Sequence, residues 1–289
     1  MEVVKQLIVF AHFKGGVGNS FIASNVALEL AKNKILTCLI DFDTKLPNCA
    51  NILGLEVKKK NSMYKFFNNN NPDLKGDYFI YDKNISQNLY IISSSCEDEV
   101  EVLEELNDNS NDIEDLLNIS KEAFDIVIVD LPVDYQNPQV ISSIQKADKI
   151  FIIGDLDINA IENTFRYLEM YKSLNIPLTK FTYIPNKFFD NNDITISTIK
   201  ETLGIRIGTS VPFDYQLVLD SIIKSKPIIS TKNKITNAIR DICGMITGNI
   251  QFDEVVEGDS IIKNPFDQAK EEVASTKFEF VFKEKEGED

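Results

Sequence analysis

Near the amino terminus, Phe13-Lys14-Gly15-Gly16-Val17-Gly18-Asn19-Ser20 sets three glycines and a hydroxyl between an apolar run and a helix-forming stretch. Small residues let successive backbone N–H groups curl around an anion at the positive end of a helix. Ser20 offers a hydroxyl to a hard cation. Farther along, "ILTCLIDFD" and "FDIVIVDLP" end apolar runs in Asp41, Asp43 and Asp130. Mg²⁺ prefers oxygen ligands and keeps several waters, so Ser20, Asp41 and Asp130 are the candidate metal residues. Asp43 is placed to orient a water on a terminal phosphate. One strand-end Asp is as often a cap or turn residue, but three that converge fit the metal reading better. One position breaks the pattern. A phosphate loop of this kind carries Lys immediately before its Ser or Thr, and here Asn19 stands there.

The elements that would hold these residues alternate. "VVKQLIVFAHF" reads as a buried strand, and "SFIASNVALELAKNK" places Ile22, Val26 and Leu30 at helical spacing. "NLYIISSS", "KIFIIGD" and "FTYIPNKF" read as further strands, with a short one ending at "SVPFD". Helical stretches lie between them, and two helices near 215–225 and 232–247 close the domain. "AFDIVIVDLP" is almost continuously apolar, as a central parallel strand should be. Alternation of this kind predicts an α/β fold, a doubly wound, mostly parallel sheet with helices on both faces. Ligands of such sheets sit beyond the carboxyl ends of the strands. The Asn- and Lys-rich residues 56–87 read as a surface excursion. The expected domain runs from 1 to 250, and 251–289 read as an acidic tail, disordered in part or partner-binding.

The loop, the strand ends and two later segments, "IPNKF" and "VPFD", together resemble the MinD/ParA superfamily of deviant-Walker, SIMIBI-type P-loop ATPases, over about residues 3–248. The family loop is KGGxGK[ST]. The resemblance implies ATP or ADP with Mg²⁺, held by Gly15, Gly16, Val17, Gly18, Asn19, Ser20 and Phe21. It makes Lys14 the signature lysine, which in the family's sandwich dimer reaches the partner's phosphates. It makes Asp43 the water-positioning carboxylate and Asp130 the Walker B residue. Asn186, Pro212 and Phe213 fall on the adenine side. "VDLPVDY" and the following segments resemble the CpaE/TadZ pilus-localisation arm, although the receiver-like domain usual there does not precede the loop.

The loss of the loop lysine decides how the resemblance is read. That charge normally lies against the β- and γ-phosphates, and Asn is neutral and too short to reach the same oxygens. Loss of comparable electrostatic help costs about 10²–10³ in rate, whereas the backbone cradle, Ser20 and Mg²⁺ still favour binding. The expectation is a slow ATPase or pseudo-ATPase acting as a localisation or assembly factor, through nucleotide-linked homodimerisation and a protein partner at a cell pole. The alternative is an active ParA-like ATPase that partitions DNA. Its support is the stretch from Lys200 to Asp241, with seven basic and four acidic residues. A third reading, a metal-cluster relative using Cys96, lacks a second cysteine nearby.

Net charge bears on these alternatives. With 45 acidic against 30 basic residues the chain carries −15, which opposes nucleic-acid and anionic-membrane binding. Glu97 to Asp115 holds ten acids and no base, the better candidate for a partner surface. The acidic, strand-patterned carboxyl terminus is unlike an interfacial helix, so no direct membrane insertion is expected. The four cysteines lack CxxC spacing, which indicates neither a zinc nor a disulfide framework and fits a reduced cytoplasm.

Overall fold

Seven runs of mostly apolar residues become strands in the computed structural model, which describes residues 4–67, 78–98, 110–134, 137–189 and 194–249. They are β1 Gln6–Ala11, β2 Thr37–Asp41, β3 Leu89–Ile92, β4 Ile126–Asp130, β5 Lys149–Gly154, β6 Phe181–Pro185 and β7 Arg206–Ile207. Their order in the sheet is β3-β2-β4-β1-β5-β6-β7, and every pairing between named strands is parallel. Neighbouring residues on β1, such as Ile8 and Val9, are both fully buried. Both faces of the sheet are therefore covered, which explains why the central strands read as continuous apolar runs rather than alternating ones.

The long helices are α1 Asn19–Lys32, α4 Ser110–Ala123, α5 Pro138–Lys146, α6 Ile158–Ser173, α7 Ile196–Leu203, α8 Tyr215–Ile223 and α9 Lys234–Thr247, with short turns α2 Cys49–Ile52 and α3 Tyr64–Phe67. Their starts are written locally. Asn137, Asp157, Thr195, Asp214 and Asn233 each accept a backbone N–H as the N-cap of α5, α6, α7, α8 and α9. Helix α1 packs on α9. Ile22, Val26, Leu30, Ile239 and Ile242 share one core with Ile8, Phe10, Ile126 and Ile128 of the sheet.

Two sequence expectations change. The excursion from 56 is not all surface: Met63, Phe66 and Tyr78 are buried, and the Phe66 and Tyr78 rings meet edge to face at 5.4 Å. The short last strand lies at Arg206–Ile207 rather than at "SVPFD". The latter segment instead crosses to the end of β6, where the Val211 N–H donates to Pro185 O. All described residues belong to one unit, Met1–Val255. The acidic tail expected from 251, and most of the acidic stretch after Glu97, lie outside the described residues. Among the described residues no helix is long and apolar enough to cross a membrane.

Candidate nucleotide site

Five neighbouring strands deliver their carboxyl ends to one place. The glycine loop follows β1, Asp41 ends β2, Asp130 ends β4, Asp155 and Asp157 follow β5, and Asn186 follows β6. This is the edge of a doubly wound sheet where ligands collect. Gly16 and Gly18 take positive φ, 75° and 91°, which turns the loop so that it enters α1 with its amides forward. Nothing lies within 4 Å of a Cβ built on Gly15 or Gly16, whereas one on Gly18 would meet Asn186 Nδ2 at 2.7 Å. The rim is open and the base is closed. Val17 sits in the core, and Asn186 Nδ2 donates to its carbonyl at 2.6 Å. Lys187 Nζ donates to Gly16 O at 2.7 Å.

Asn19 is 3% exposed and turns inward. Its Nδ2 donates to Phe10 O at 3.0 Å and to Asp130 Oδ1 at 2.6 Å, while its Oδ1 is buried without a partner. Both hydrogens of the amide are thus taken up below the loop, which leaves no donor for a phosphate above it. The Ser20 hydroxyl lies near Asp130 and favours its carboxylate form. The Phe21 side chain joins the core, so what it can offer a ligand is its backbone N–H.

Asp41 and Asp130 are register partners on β2 and β4, both essentially without solvent exposure. Asp41 accepts three backbone N–H bonds, Oδ1 from Asp43 and Oδ2 from Asn48 and Cys49, each at 3.0–3.1 Å. Burial and the Asp130 charge still push its carboxyl up to about 8. Burial raises Asp130 as well, against the bonds from Ser20, Cys49 and Asn19 and the nearby His12. The dominant cause in both is the loss of solvation on burial, which disfavours the charged form. Asp43 is half-buried, its carboxyl is raised by burial, and its Oδ1 accepts the Leu46 N–H at 3.2 Å.

Lys14, which the resemblance sets against a partner's phosphates, has two partners within its own chain. Its Nζ lies 2.7 Å from Asp157 Oδ2 and 3.3 Å from Asp155 Oδ2, and the bond to Asp157 raises the ammonium while lowering that carboxyl. Sequence reasoning passed over both acids, although "GDLD" after an apolar strand is the same signal as "DFD". His12 bridges the loop and the end of β4, with Nδ1 2.9 Å from Lys14 O and Nε2 3.1 Å from Leu131 O. Phe13 stacks on Tyr167 of α6 at 4.1 Å, which anchors the start of the loop to that helix.

Pro212 and Phe213 line a cavity of about 1020 Å³ together with Phe188, Leu217 and Ala238. Asn186, expected at the adenine, supports the loop in this structure and is 8% exposed. The donor set suits a nucleotide with Mg²⁺: an open glycine rim, the Ser20 hydroxyl and the Asp130 carboxylate beside it. Residue 19 alone does not match.

Known proteins share this fold. A family model described as an AAA domain matches residues 5–179. An uncharacterised ATP-binding protein of Methanocaldococcus jannaschii is 28% identical over 244 residues, covering 83% of this chain and 84% of its own. The septum site-determining protein MinD of Thermotoga maritima is 23% identical, covering 84% and 88%. A ParA family ATPase from Chlorobium tepidum superposes with a TM-score of 0.72 at 20% identity, over 83% of this chain and 99% of its own. The chain belongs to the AAA-domain family, within the MinD/ParA superfamily of P-loop ATPases.

Proposed function

We propose that this protein binds ATP with Mg²⁺, turns it over slowly or not at all, and uses the bound nucleotide to pair with a second copy as a localisation or assembly factor. The observation that carries the reading is the inward turn of Asn19 onto Phe10 O and Asp130. A residue bonded there gives the phosphates no charge and no donor, while the glycine rim and Ser20 keep their binding chemistry. The names of the relatives, an ATP-binding protein and a septum site-determining protein, support the nucleotide and the spatial role. In this reading Asp43 orients water, Asn186, Pro212 and Phe213 face the base side, and an unidentified protein partner sets the location.

Lys14 supports the dimerisation part of this reading. In the single chain its ammonium is held by Asp155 and Asp157 at a partly exposed site, where ion pairs contribute only ~0.2–1 kcal/mol. A partner's triphosphate in a water-poor cleft is a stronger attractor. Sedimentation with and without ATP–Mg²⁺ tests this. Wild type should dimerise only with nucleotide, and Lys14→Ala should stay monomeric yet fold. Equal dimerisation with or without nucleotide, unaffected by Lys14→Ala, would refute it. Turnover near the ~10 s⁻¹ enzyme median would refute the slow-ATPase reading.

A further inference from the structure

Lys187 leaves the end of β6 with φ at 54°, in the left-handed region that a residue with a Cβ disfavours. The chain is pinned on either side of it. The Asn186 N–H donates to Gly154 O at 2.7 Å, and the Phe188 N–H donates to Val211 O at 2.9 Å. Between these anchors the Lys187 side chain lies over the glycine loop, where its Nζ donates to Gly16 O at 2.7 Å. Asp155 and Asp157 line the same cavity of about 240 Å³ as Lys187, but both hold Lys14 instead. Among the described residues, no carboxylate lies within ion-pair distance of the Lys187 ammonium.

We propose that Lys187 is the cation that holds the phosphate chain of the bound nucleotide, a binding role that offsets the neutral Asn19 without restoring its catalysis. This rests on the nucleotide reading of the site. Three observations support it. First, the site needs a positive charge. Asn19 brings none, Asp41 and Asp130 lie beneath the loop, and Lys14 is taken up by its two aspartates. Second, the ammonium stands at the lip of an open space, since nothing lies within 4 Å of a Cβ built on Gly15 or Gly16. An ammonium has three donors, and Gly16 O takes one. Third, a lysine is kept at a positive φ where glycine would be unstrained, and backbone strain of this kind collects at ligand sites.

The position also fits binding without turnover. Asn19 is buried below the loop, whereas Lys187 reaches it from the exposed rim. A cation there attracts the phosphates of ATP and ADP alike. Such uniform attraction tightens binding and leaves the chemical step unaided.

The test is calorimetric titration of the full chain with ATP–Mg²⁺, ADP–Mg²⁺ and adenosine. Lys187→Met keeps the stem and removes the charge, and Lys187→Gly also removes the strain. Both should bind ATP and ADP about 10–100-fold more weakly, the worth of one hydrogen bond to a charged group. Adenosine should bind both variants as it binds wild type, and Lys187→Arg should keep most of the ATP affinity. Added salt should weaken ATP binding more in wild type than in Lys187→Met. Lys187→Gly should melt no lower than wild type, so it decides alone if Lys187→Met does not fold. Unchanged ATP affinity in a folded, uncharged variant would overturn the proposal. So would an equal loss for ATP and adenosine, which would make Lys187 a support of the loop through Gly16 O. Both results leave the nucleotide reading standing, whereas a wild type that binds none of the three ligands overturns both.

Discussion

Asn19→Lys is the sharpest perturbation of this site, because it acts on two measurable quantities at once. The first is the pH dependence of stability. Asp41 and Asp130 are raised above ordinary carboxyl values, Asp41 to about 8. The folded chain therefore keeps protons that the unfolded chain has lost. Stability should fall as pH rises from about 4 toward 8, by up to ~1.4 kcal/mol per pH unit for each proton retained. A lysine ammonium about 3 Å from Asp130 would attract it by ~5 kcal/mol at an effective dielectric of 20, largely offset by its own desolvation. It would also remove the unpartnered Asn19 Oδ1, a group of a kind worth about 1–3 kcal/mol when left unsatisfied. Denaturant unfolding between pH 5 and 8 should show the slope in wild type and its loss in Asn19→Lys. The second quantity is turnover. A charge returned to the β- and γ-phosphates should raise the ATP hydrolysis rate by about 10²–10³, or ~3–4 kcal/mol. A folded Asn19→Lys protein with the wild-type pH slope and the wild-type rate would refute both the charge-balance argument and the slow-ATPase reading.

Gly18→Ala should cost about 1–3 kcal/mol by forcing a side chain into positive φ. It should also weaken nucleotide binding measured by calorimetry, since its Cβ displaces Asn186 from Val17 O. Asp157→Asn keeps an N-cap for α6 but removes one carboxylate from Lys14, so melting should barely change while ATP-dependent dimerisation, followed by light scattering, shifts to lower nucleotide concentration. DNA binding in a gel-shift titration should be weak at ~0.15 M salt, because phosphate contacts need clustered cations and the chain carries −15. A sub-micromolar, salt-sensitive shift would restore the DNA-partitioning alternative, with Lys224, Lys226, Lys232 and Lys234 as the first suspects.

The architecture was legible in the sequence because its signals are local. Apolar runs of strand length alternate with helical periodicity. Gly16 and Gly18 are needed where φ is positive, and Asp157, Asp214 and Asn233 cap the helices that follow them. The loop, Ser20, Asp41, Asp43 and Asp130 could be placed at strand ends for the same reason, and Asn19 could be seen to be neutral. Where a side chain points is decided by what lies beside it, and those neighbours are distant in the chain. Asn19 meets Asp130 across 111 positions, Lys14 meets Asp157 across 143, and Asn186 supports Val17 across 169. Phe21 belongs to the core because α1 packs on the sheet, and its position next to Ser20 does not reveal that. Cys49 looked like one of four unpaired cysteines until β2 and β4 brought Asp41 and Asp130 into register around it. Residue types determined what chemistry the site has to offer. The parallel sheet, by stacking the carboxyl ends of five strands, decided which groups touch and which buried charges lack a partner.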